Sequence, residues 1–150
     1  MLTEFDKSLL NIIQSDLALS KQPFALIAER LGTDEATVID RIRRLKDQGY
    51  IRRIGAFFDS ARLGYTGTLL ALEVEAEQIE KVVELINSYP GVTHNYEREG
   101  RFNLWITLLT SNVEEEKRIV SVIESLPGVN RLLNLPATEK FKVNVQFNLE

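Results

Sequence analysis

The chain has 150 residues, 44% of them hydrophobic and 27% charged, which is ordinary globular composition and argues against disorder. It contains no cysteine, so disulfides, thiolate metal sites and cysteine nucleophiles are excluded. The formal net charge of −4 is uneven: residues 1–64 hold ten Lys/Arg against nine Asp/Glu, and residues 65–150 hold eight against thirteen. With no membrane-length apolar run and no leader-like N-terminus, we expect a cytoplasmic protein without membrane contact.

The first helix is predicted from a capping signal and a helical period. Thr3 and Asp6 have the spacing of a capping box. Apolar side chains then recur every four residues, as one face of a helix requires. These residues are Phe5, Leu9, Ile13 and Leu17.

Two more helices and a wing complete the pattern of a winged helix-turn-helix. Pro23 can begin the second helix, and Gly32 can end it. Thr33 is predicted to cap the third helix, which Gly49 ends. Its buried face is Val38, Ile42 and Leu45. The segment Tyr50–Phe58 is then typical of a β-wing.

The hydrophobic period changes after residue 64. Alternation over 66–74 predicts a strand, with Thr68, Leu70, Leu72 and Val74 on one face. The elements predicted after it are a helix with the stripe Ile79, Val82, Val83 and Ile86, strands over Val92–Arg98 and Phe102–Thr110, a helix with Ile119, Val120, Ile123 and Leu126, and strands over Val129–Leu135 and Phe141–Phe147.

An internal repeat indicates the fold of this second half. LINSYPGV at 85–92 matches VIESLPGV at 122–129, from helix end to strand start in both copies. A strand–helix–strand unit used twice is the ferredoxin-like βαββαβ fold. We therefore predict an α+β protein with a winged helix-turn-helix domain over 1–60 and a ferredoxin-like domain over 65–150. Because the helices cover one sheet face, and Phe141, Val143, Val145 and Phe147 alternate, we expect dimerisation through the second domain.

The only histidine lies in the strand VTHNYER. Strand alternation places Val92, His94, Tyr96 and Arg98 on one face, where an imidazole, a phenol and a guanidinium could bind an anion and deliver a proton. The alternative, which the spacing alone favours, is a polar half-exposed strand. Trp105, in the next strand, is either a flat wall for a large ring or part of the core. One histidine without cysteine cannot form a structural zinc site, but it can supply an axial ligand to a haem-type iron.

The third helix is poorly suited to reading DNA. Its first residues, which would meet base edges, include Asp34, Glu35, Thr37 and Asp40, and carboxylates repel phosphates. The cations left for the DNA backbone are Arg41, Arg44, Arg52 and Arg53. We therefore expect weak or absent DNA binding, and the helix-turn-helix could equally be a scaffold.

The whole chain resembles the leucine-responsive/asparagine-regulator (Lrp/AsnC) family. RIRRLKDQGYIRRIGAFFDSARLGY is similar to that family's recognition helix, wing and connector. Those regulators usually carry a Gly-x-x-Asp turn associated with amino-acid effectors. Here Gly100-Arg101-Phe102-Asn103 stands in that place, with Asn for Asp. The resemblance implies, as one alternative, a transcription regulator that binds DNA and a small effector.

A more specific resemblance is to the siroheme decarboxylases of the alternative haem pathway. It is carried by YIRRIGAFFDSARLGY and YPGVTHNYEREGRFNLWITL and extends over nearly the whole chain. It implies a carbon–carbon lyase, often built from two related subunits, that removes two acetate carboxyls from siroheme without oxidation and gives 12,18-didecarboxysiroheme. The implied partners are siroheme and a related second subunit or a second copy of the chain. No cofactor is expected, since iron enters with the substrate.

The same resemblance implies which residues form the site. The expected catalytic residues are His94, Tyr96 and Arg98, with His94 acting either as a proton donor or as an axial ligand to the substrate iron. Guanidinium groups suit the substrate's carboxylates, and an indole suits its flat macrocycle. The residues expected to bind substrate are Arg98, Arg101, Asn95, Asn103, Trp105, Arg52 and Arg53. Whether the working site lies on this chain or on a related one stays open at this stage.

Overall fold

The computed structural model describes residues 1–15, 17–56, 58–143 and 146–149. The chain divides into two compact units, Met1–Ala56 with Lys142–Glu150, and Phe57–Phe141. Its elements in chain order are α1 (Glu4–Ser15), α2 (Pro23–Leu31), α3 (Glu35–Asp47), β1 (Thr66–Val74), a short 3₁₀ helix (Ala76–Gln78), α4 (Ile79–Asn87), β2 (Val92–Glu97), β3 (Leu104–Thr110), α5 (Val113–Glu124) and β4 (Val129–Pro136). Among the described residues, no helix is both long and apolar enough to cross a membrane.

The capping box at the start of α1 is confirmed. The Thr3 backbone N–H donates to Asp6 at 2.7 Å, and the Asp6 N–H donates to the Thr3 hydroxyl at 3.2 Å. The helix ends at Ser15, so Leu17 lies outside it and does not extend the predicted stripe. At this end the Ser15 hydroxyl donates back to the Asn11 carbonyl, one turn earlier in the helix.

The tight turn between α2 and α3 forms as predicted, but its capping residue differs. Gly32 ends α2 in the left-handed conformation, with φ 63°. The N-cap of α3 is Asp34 and not Thr33, since the Asp34 carboxylate accepts a hydrogen bond from the Thr37 N–H at 2.9 Å. The Thr33 N–H instead donates to the Ala28 carbonyl and so belongs to the end of α2. The three helices enclose a core of Leu9, Ile27, Ala28, Val38, Ile42, Leu45 and Ile51.

The predicted β-wing over Tyr50–Phe58 is wrong for the part of it that the structure describes. Residues 50–56 and 58 contain no strand, and Phe57 lies outside the described residues. The N–H groups of Tyr50 and Ile51 both donate to the Leu45 carbonyl, at 2.9 and 3.2 Å. The start of this segment therefore terminates α3, and its backbone donors are unavailable for a strand ladder.

The second unit has the predicted ferredoxin-like topology. Its four strands form one antiparallel sheet in the order β2-β3-β1-β4, and a helix follows each of β1 and β3. Alternate strand residues, including Leu70, Leu72, Leu104 and Ile106, pack with Val82, Ile86 and Ile123 of α4 and α5 in one core. Both helices therefore cover the same face, which we call the helix face. The other is the open face.

The two copies of the internal repeat end at the first residues of β2 and β4, and the glycine before each strand has a different structural role. A side chain at Gly91 would place Cβ 2.0 Å from the Leu109 carbonyl oxygen, so the backbones approach too closely for any other residue. Gly128 has φ 87° and also lies against Gln78, so it supplies a left-handed turn in a crowded position. Both copies of the motif thus require glycine.

The predicted last strand over Phe141–Phe147 is also wrong for the described residues, which contain no strand there; Val145 lies outside them. Instead, the Gln14 side-chain amide donates to the Phe147 carbonyl at 2.7 Å and accepts from the Phe147 N–H at 3.0 Å. These bonds occupy both backbone groups of Phe147, which are then unavailable for a strand ladder. The segment Lys142–Glu150 accordingly belongs to the first unit, and the ferredoxin-like unit ends at Phe141 rather than at residue 150.

Candidate active site

Strand β2 contains a β-bulge that decides which of its residues face the open side of the sheet. Val92 pairs with Leu108 and His94 pairs with Thr107, so Thr93 is the extra residue. Val92 packs against the helix-face core, whereas His94 lies on the open face. The predicted alternation placed Val92 and His94 on one face. It fails because a single inserted residue reverses the order of faces.

Beyond the bulge, four of the predicted site residues come together on the open face. They line a shallow concavity of about 600 Å³. The ring centroids of His94 and Tyr96 are 6.0 Å apart, and the Arg98 guanidinium carbon lies 5.6 Å from the centre of the Tyr96 ring. That second distance is within the range of a cation–π contact. The residues lining the concavity are Leu69, His94, Tyr96, Arg98, Trp105 and Thr107.

Trp105 forms part of this concavity and not of the helix-face core. The register pairs it with Tyr96 on one side and with Ala71 on the other. Its indole N–H donates to the Phe102 carbonyl at 2.8 Å, which fixes the orientation of a half-buried ring. The structure therefore excludes the core alternative for Trp105, and its role as a wall for a large ring stays a prediction.

Leu69 and Thr107 were missed in the sequence analysis. They lie opposite each other on β1 and β3, at the centre of the sheet. The signal that could have found them is the same alternation that marked the core. If Leu70 and Ile106 face the helices, their neighbours along each strand face the concavity.

The two asparagines expected to bind substrate have other roles. Asn95 pairs with Ile106, and its Nδ2 donates to Asn87 at 2.9 Å, so it lies on the helix face, away from the concavity. The Asn103 amide accepts from the Val74 N–H and donates to the Val74 carbonyl, both at 2.8 Å. Asn103 thus pairs with the last residue of β1, and its hydrogen-bonding groups are already used.

The three other arginines of the predicted site do not line this concavity. Arg101 lies in the turn between β2 and β3 and forms an ion pair with Glu73 at 2.9 Å. In the strand register, Glu73 of β1 lies opposite Arg131 of β4. Arg52 and Arg53 are exposed residues of the first unit, where they line a separate cavity of about 470 Å³.

Two arginines of α3 form ion pairs within the first unit, which neutralise part of the positive charge of this helix. Arg41 pairs with Asp6 at 2.5 Å, and Asp6 is only 4% exposed. Burial raises the pKa of Asp6, but the hydrogen bonds from Thr3 and the ion pair with Arg41 outweigh it and leave the pKa below its ordinary value. Arg44 pairs with Asp40 at 2.9 Å. These contacts reduce the positive potential that a recognition helix needs.

The described residues contain no cluster of three or more His, Asp or Glu side chains that could hold a metal ion. What the open face does offer is an exposed imidazole, a phenol and a guanidinium in a row beside an indole wall. This set of groups can bind a flat aromatic anion, and it contains groups able to move a proton.

Comparisons with known proteins agree with both halves of the chain. Residues 6–52 match the family described as siroheme decarboxylase NirDL-like HTH domain, and residues 62–142 match the AsnC-like ligand binding domain. The chain is 46% identical to the siroheme decarboxylase alpha subunit of Desulfovibrio desulfuricans, over 97% of this chain and 83% of that protein. It is 37% identical to the siroheme decarboxylase of Hydrogenobacter thermophilus, over 98% of this chain but 44% of that longer protein.

A solved structure supports the same assignment. The crystal structure of the siroheme decarboxylase NirDL in co-complex with an iron-uroporphyrin III analogue is similar, with a TM-score of 0.70 and 35% identity. The match covers 95% of this chain and 48% of that one. The identity, the coverage and the two matched domains together show that this chain belongs to the siroheme decarboxylase family.

Proposed function

We propose that this chain is a subunit of a siroheme decarboxylase, a carbon–carbon lyase that converts siroheme into 12,18-didecarboxysiroheme. The observation that carries the proposal is the open-face concavity, where His94, Tyr96, Arg98 and Trp105 meet. Its chemistry suits a large flat molecule that carries carboxylates. The similarity to a named alpha subunit over nearly the whole chain adds to it.

The reaction balances without an oxidant or a reductant. In each of two acetate side chains, the bond between the CH₂ carbon and the carboxylate carbon breaks, and carbon dioxide leaves. The electron pair stays on the macrocycle side, and one proton then converts the CH₂ carbon into a methyl group. Two rounds release two carbon dioxides and consume two protons. We therefore propose that no resident cofactor is needed and that iron enters only as part of the substrate.

The residues of the concavity divide this work by their chemistry. Arg98 binds a substrate carboxylate, and Trp105 stacks against the macrocycle. His94 either donates the proton or coordinates the substrate iron, and Tyr96, 52% exposed, is the second candidate donor. Arg101 can bind a further carboxylate once it exchanges its ion pair with Glu73 for the substrate.

A second subunit is part of the proposal. The open face exposes apolar side chains, among them Leu69 of the concavity at 39% and, opposite it on β4, Leu135 at 41%. Apolar patches of this kind are typical of interaction surfaces. This chain matches only 44% of the longer Hydrogenobacter relative, as expected if that protein contains two such modules. We propose that a related chain, or a second copy, packs beside the site.

Anaerobic incubation with siroheme tests the proposal. The chain is assayed alone and with any related chain encoded beside it, without added cofactor, and the product mass is measured. Loss of two carbon dioxides is the expected result. Unchanged siroheme in every combination would refute the activity. If His94→Ala in the two-chain complex retains full turnover at saturating siroheme, the working histidine is on the partner and this chain is the supporting subunit.

A further inference from the structure

The bulge in β2 places two consecutive side chains in contact, which a regular strand does not do. Neighbouring residues of a strand normally point to opposite faces. Here the Thr93 hydroxyl oxygen lies 3.1 Å from Nδ1 of His94, and the same hydroxyl lies 3.4 Å from the Thr107 carbonyl oxygen. One hydroxyl thus links the imidazole to the backbone of β3.

The directions of these two hydrogen bonds are linked, because the hydroxyl has only one hydrogen to share between them. A threonine hydroxyl has one hydrogen to donate, and a carbonyl oxygen can only accept. When the Thr93 hydroxyl donates to Thr107, its lone pairs face His94 and must accept a hydrogen from Nδ1. The neutral imidazole then carries its proton on Nδ1, and Nε2 keeps a free lone pair. Among the described residues, none makes a hydrogen bond to Nε2.

We infer that Thr93 is a positioning residue that holds His94 in the Nδ1–H tautomer and makes Nε2 the nitrogen that acts on the substrate. The part that concerns the substrate rests on the proposed function. It applies to both roles open to His94. An Nε2 lone pair can coordinate the substrate iron directly, or it can take up a proton and deliver it to the methyl carbon. Imidazoles that bind metals are commonly fixed in this way, by an oxygen that accepts from the other ring N–H.

Nuclear magnetic resonance of the substrate-free protein tests the tautomer directly. Because His94 is the only histidine, a long-range ¹H–¹⁵N spectrum shows a single imidazole, recorded at a pH where the ring is neutral. We expect Nδ1 to be protonated in the wild type and in Thr93→Ser, which keeps the hydroxyl. Thr93→Val, of the same shape but without the hydroxyl, should shift the ring towards the tautomer mixture of a free imidazole. Thr138→Val, at an exposed position, is the matched control and should leave the spectrum unchanged.

Either of two results overturns the inference: protonation of Nε2 in the wild type, or a tautomer that Thr93→Val does not alter. Siroheme turnover is then measured on the same variants. Loss of the hydroxyl should lower it roughly 10–100-fold, the usual effect of removing a group that orients a ligating histidine, and Thr93→Ser should restore it. If Nδ1 is protonated as expected but no combination of chains converts siroheme, the proposed function is refuted and the positioning of His94 is not. Turnover that depends on His94 but not on Thr93 refutes the positioning role alone.

Discussion

Replacing Asn103 by alanine distinguishes a structural role from a role in binding. The sequence predicted that Asn103 contacts substrate, whereas the structure shows its amide bonded twice to the backbone of Val74, at 2.8 Å each. Truncation leaves a partly buried N–H and a partly buried carbonyl without their partner. Each lost bond costs about 1 kcal/mol, so we expect about 2 kcal/mol less stability for the second unit. For a domain of this size, the melting temperature then falls by roughly 8–16 °C.

The single tryptophan makes this assay specific to the second unit. Trp105 lies two residues from Asn103 on the same hairpin, so its fluorescence during thermal or urea denaturation reports unfolding of that unit. Asn130→Ala, at an exposed position of β4, is the matched control and should change stability by less than about 0.5 kcal/mol. A variant at Asn103 that melts like the wild type but loses siroheme affinity would refute our reasoning and return Asn103 to the substrate site.

Four further predictions follow from the site and from the first unit. Arg98→Ala should weaken siroheme binding or turnover by roughly tenfold or more, the usual effect of losing a charge-assisted contact. Lys117→Ala, on the exposed side of α5, is the control and should leave both unchanged; equal effects of the two variants would place the site elsewhere. His94→Ala should lower the rate roughly 10²–10⁴-fold if it donates a proton, and should first change the absorption spectrum and affinity if it binds iron; equal wild-type turnover of iron-free sirohydrochlorin would show that ligation is dispensable. Because folding lowers the pKa of Asp6 from 3.8, the ionised carboxylate stabilises the folded state fully above that pH, and this stabilisation is lost as the pH falls through the lowered pKa. Urea titrations at several pH values should show that Asp6→Asn makes the free energy of unfolding less dependent on pH in the acid range. An unchanged dependence would contradict the ion-pair account. DNA binding should be weak and non-specific at physiological salt, and a tight, sequence-selective footprint would contradict the reduced charge of α3.

Much of the fold was predictable because hydrophobic periodicity reports directly on burial. The helical stripes and the alternation over 66–74 identified the two cores, and the repeated Pro-Gly-Val motif identified the βαββαβ order. The two predicted strands that the described residues do not form, at Tyr50–Phe58 and Phe141–Phe147, have strand-like composition. In the first segment the N–H groups of Tyr50 and Ile51 bond to Leu45 instead. In the second, both backbone groups of Phe147 bond to Gln14. Such pairing is a tertiary property that local composition does not encode.

The site was predictable as a set of residue types but not as a geometry. The sequence identified His94, Tyr96, Arg98 and Trp105, and the structure brings these four together. It also grouped Asn103 with them, because the sequence does not distinguish an asparagine whose amide bonds to the backbone from one whose amide binds a ligand. The bulge at Thr93 was invisible for a similar reason, since an inserted residue reverses the faces of a strand without changing its composition.

The bulge at Thr93 allows β2 both to pack against the helix-face core and to present polar side chains on the open face. The strand begins with Val92 in the helix-face core, and it then presents polar side chains on the open face. In a regular strand His94 and Tyr96 would lie on the same face as Val92, and an imidazole and a phenol would need hydrogen-bond partners within an apolar core. With Thr93 inserted, Val92 packs against the helix-face core, and the rings of His94 and Tyr96 still face the concavity. The same residue supplies the hydroxyl that contacts His94, so the local distortion that exposes the imidazole also orients it.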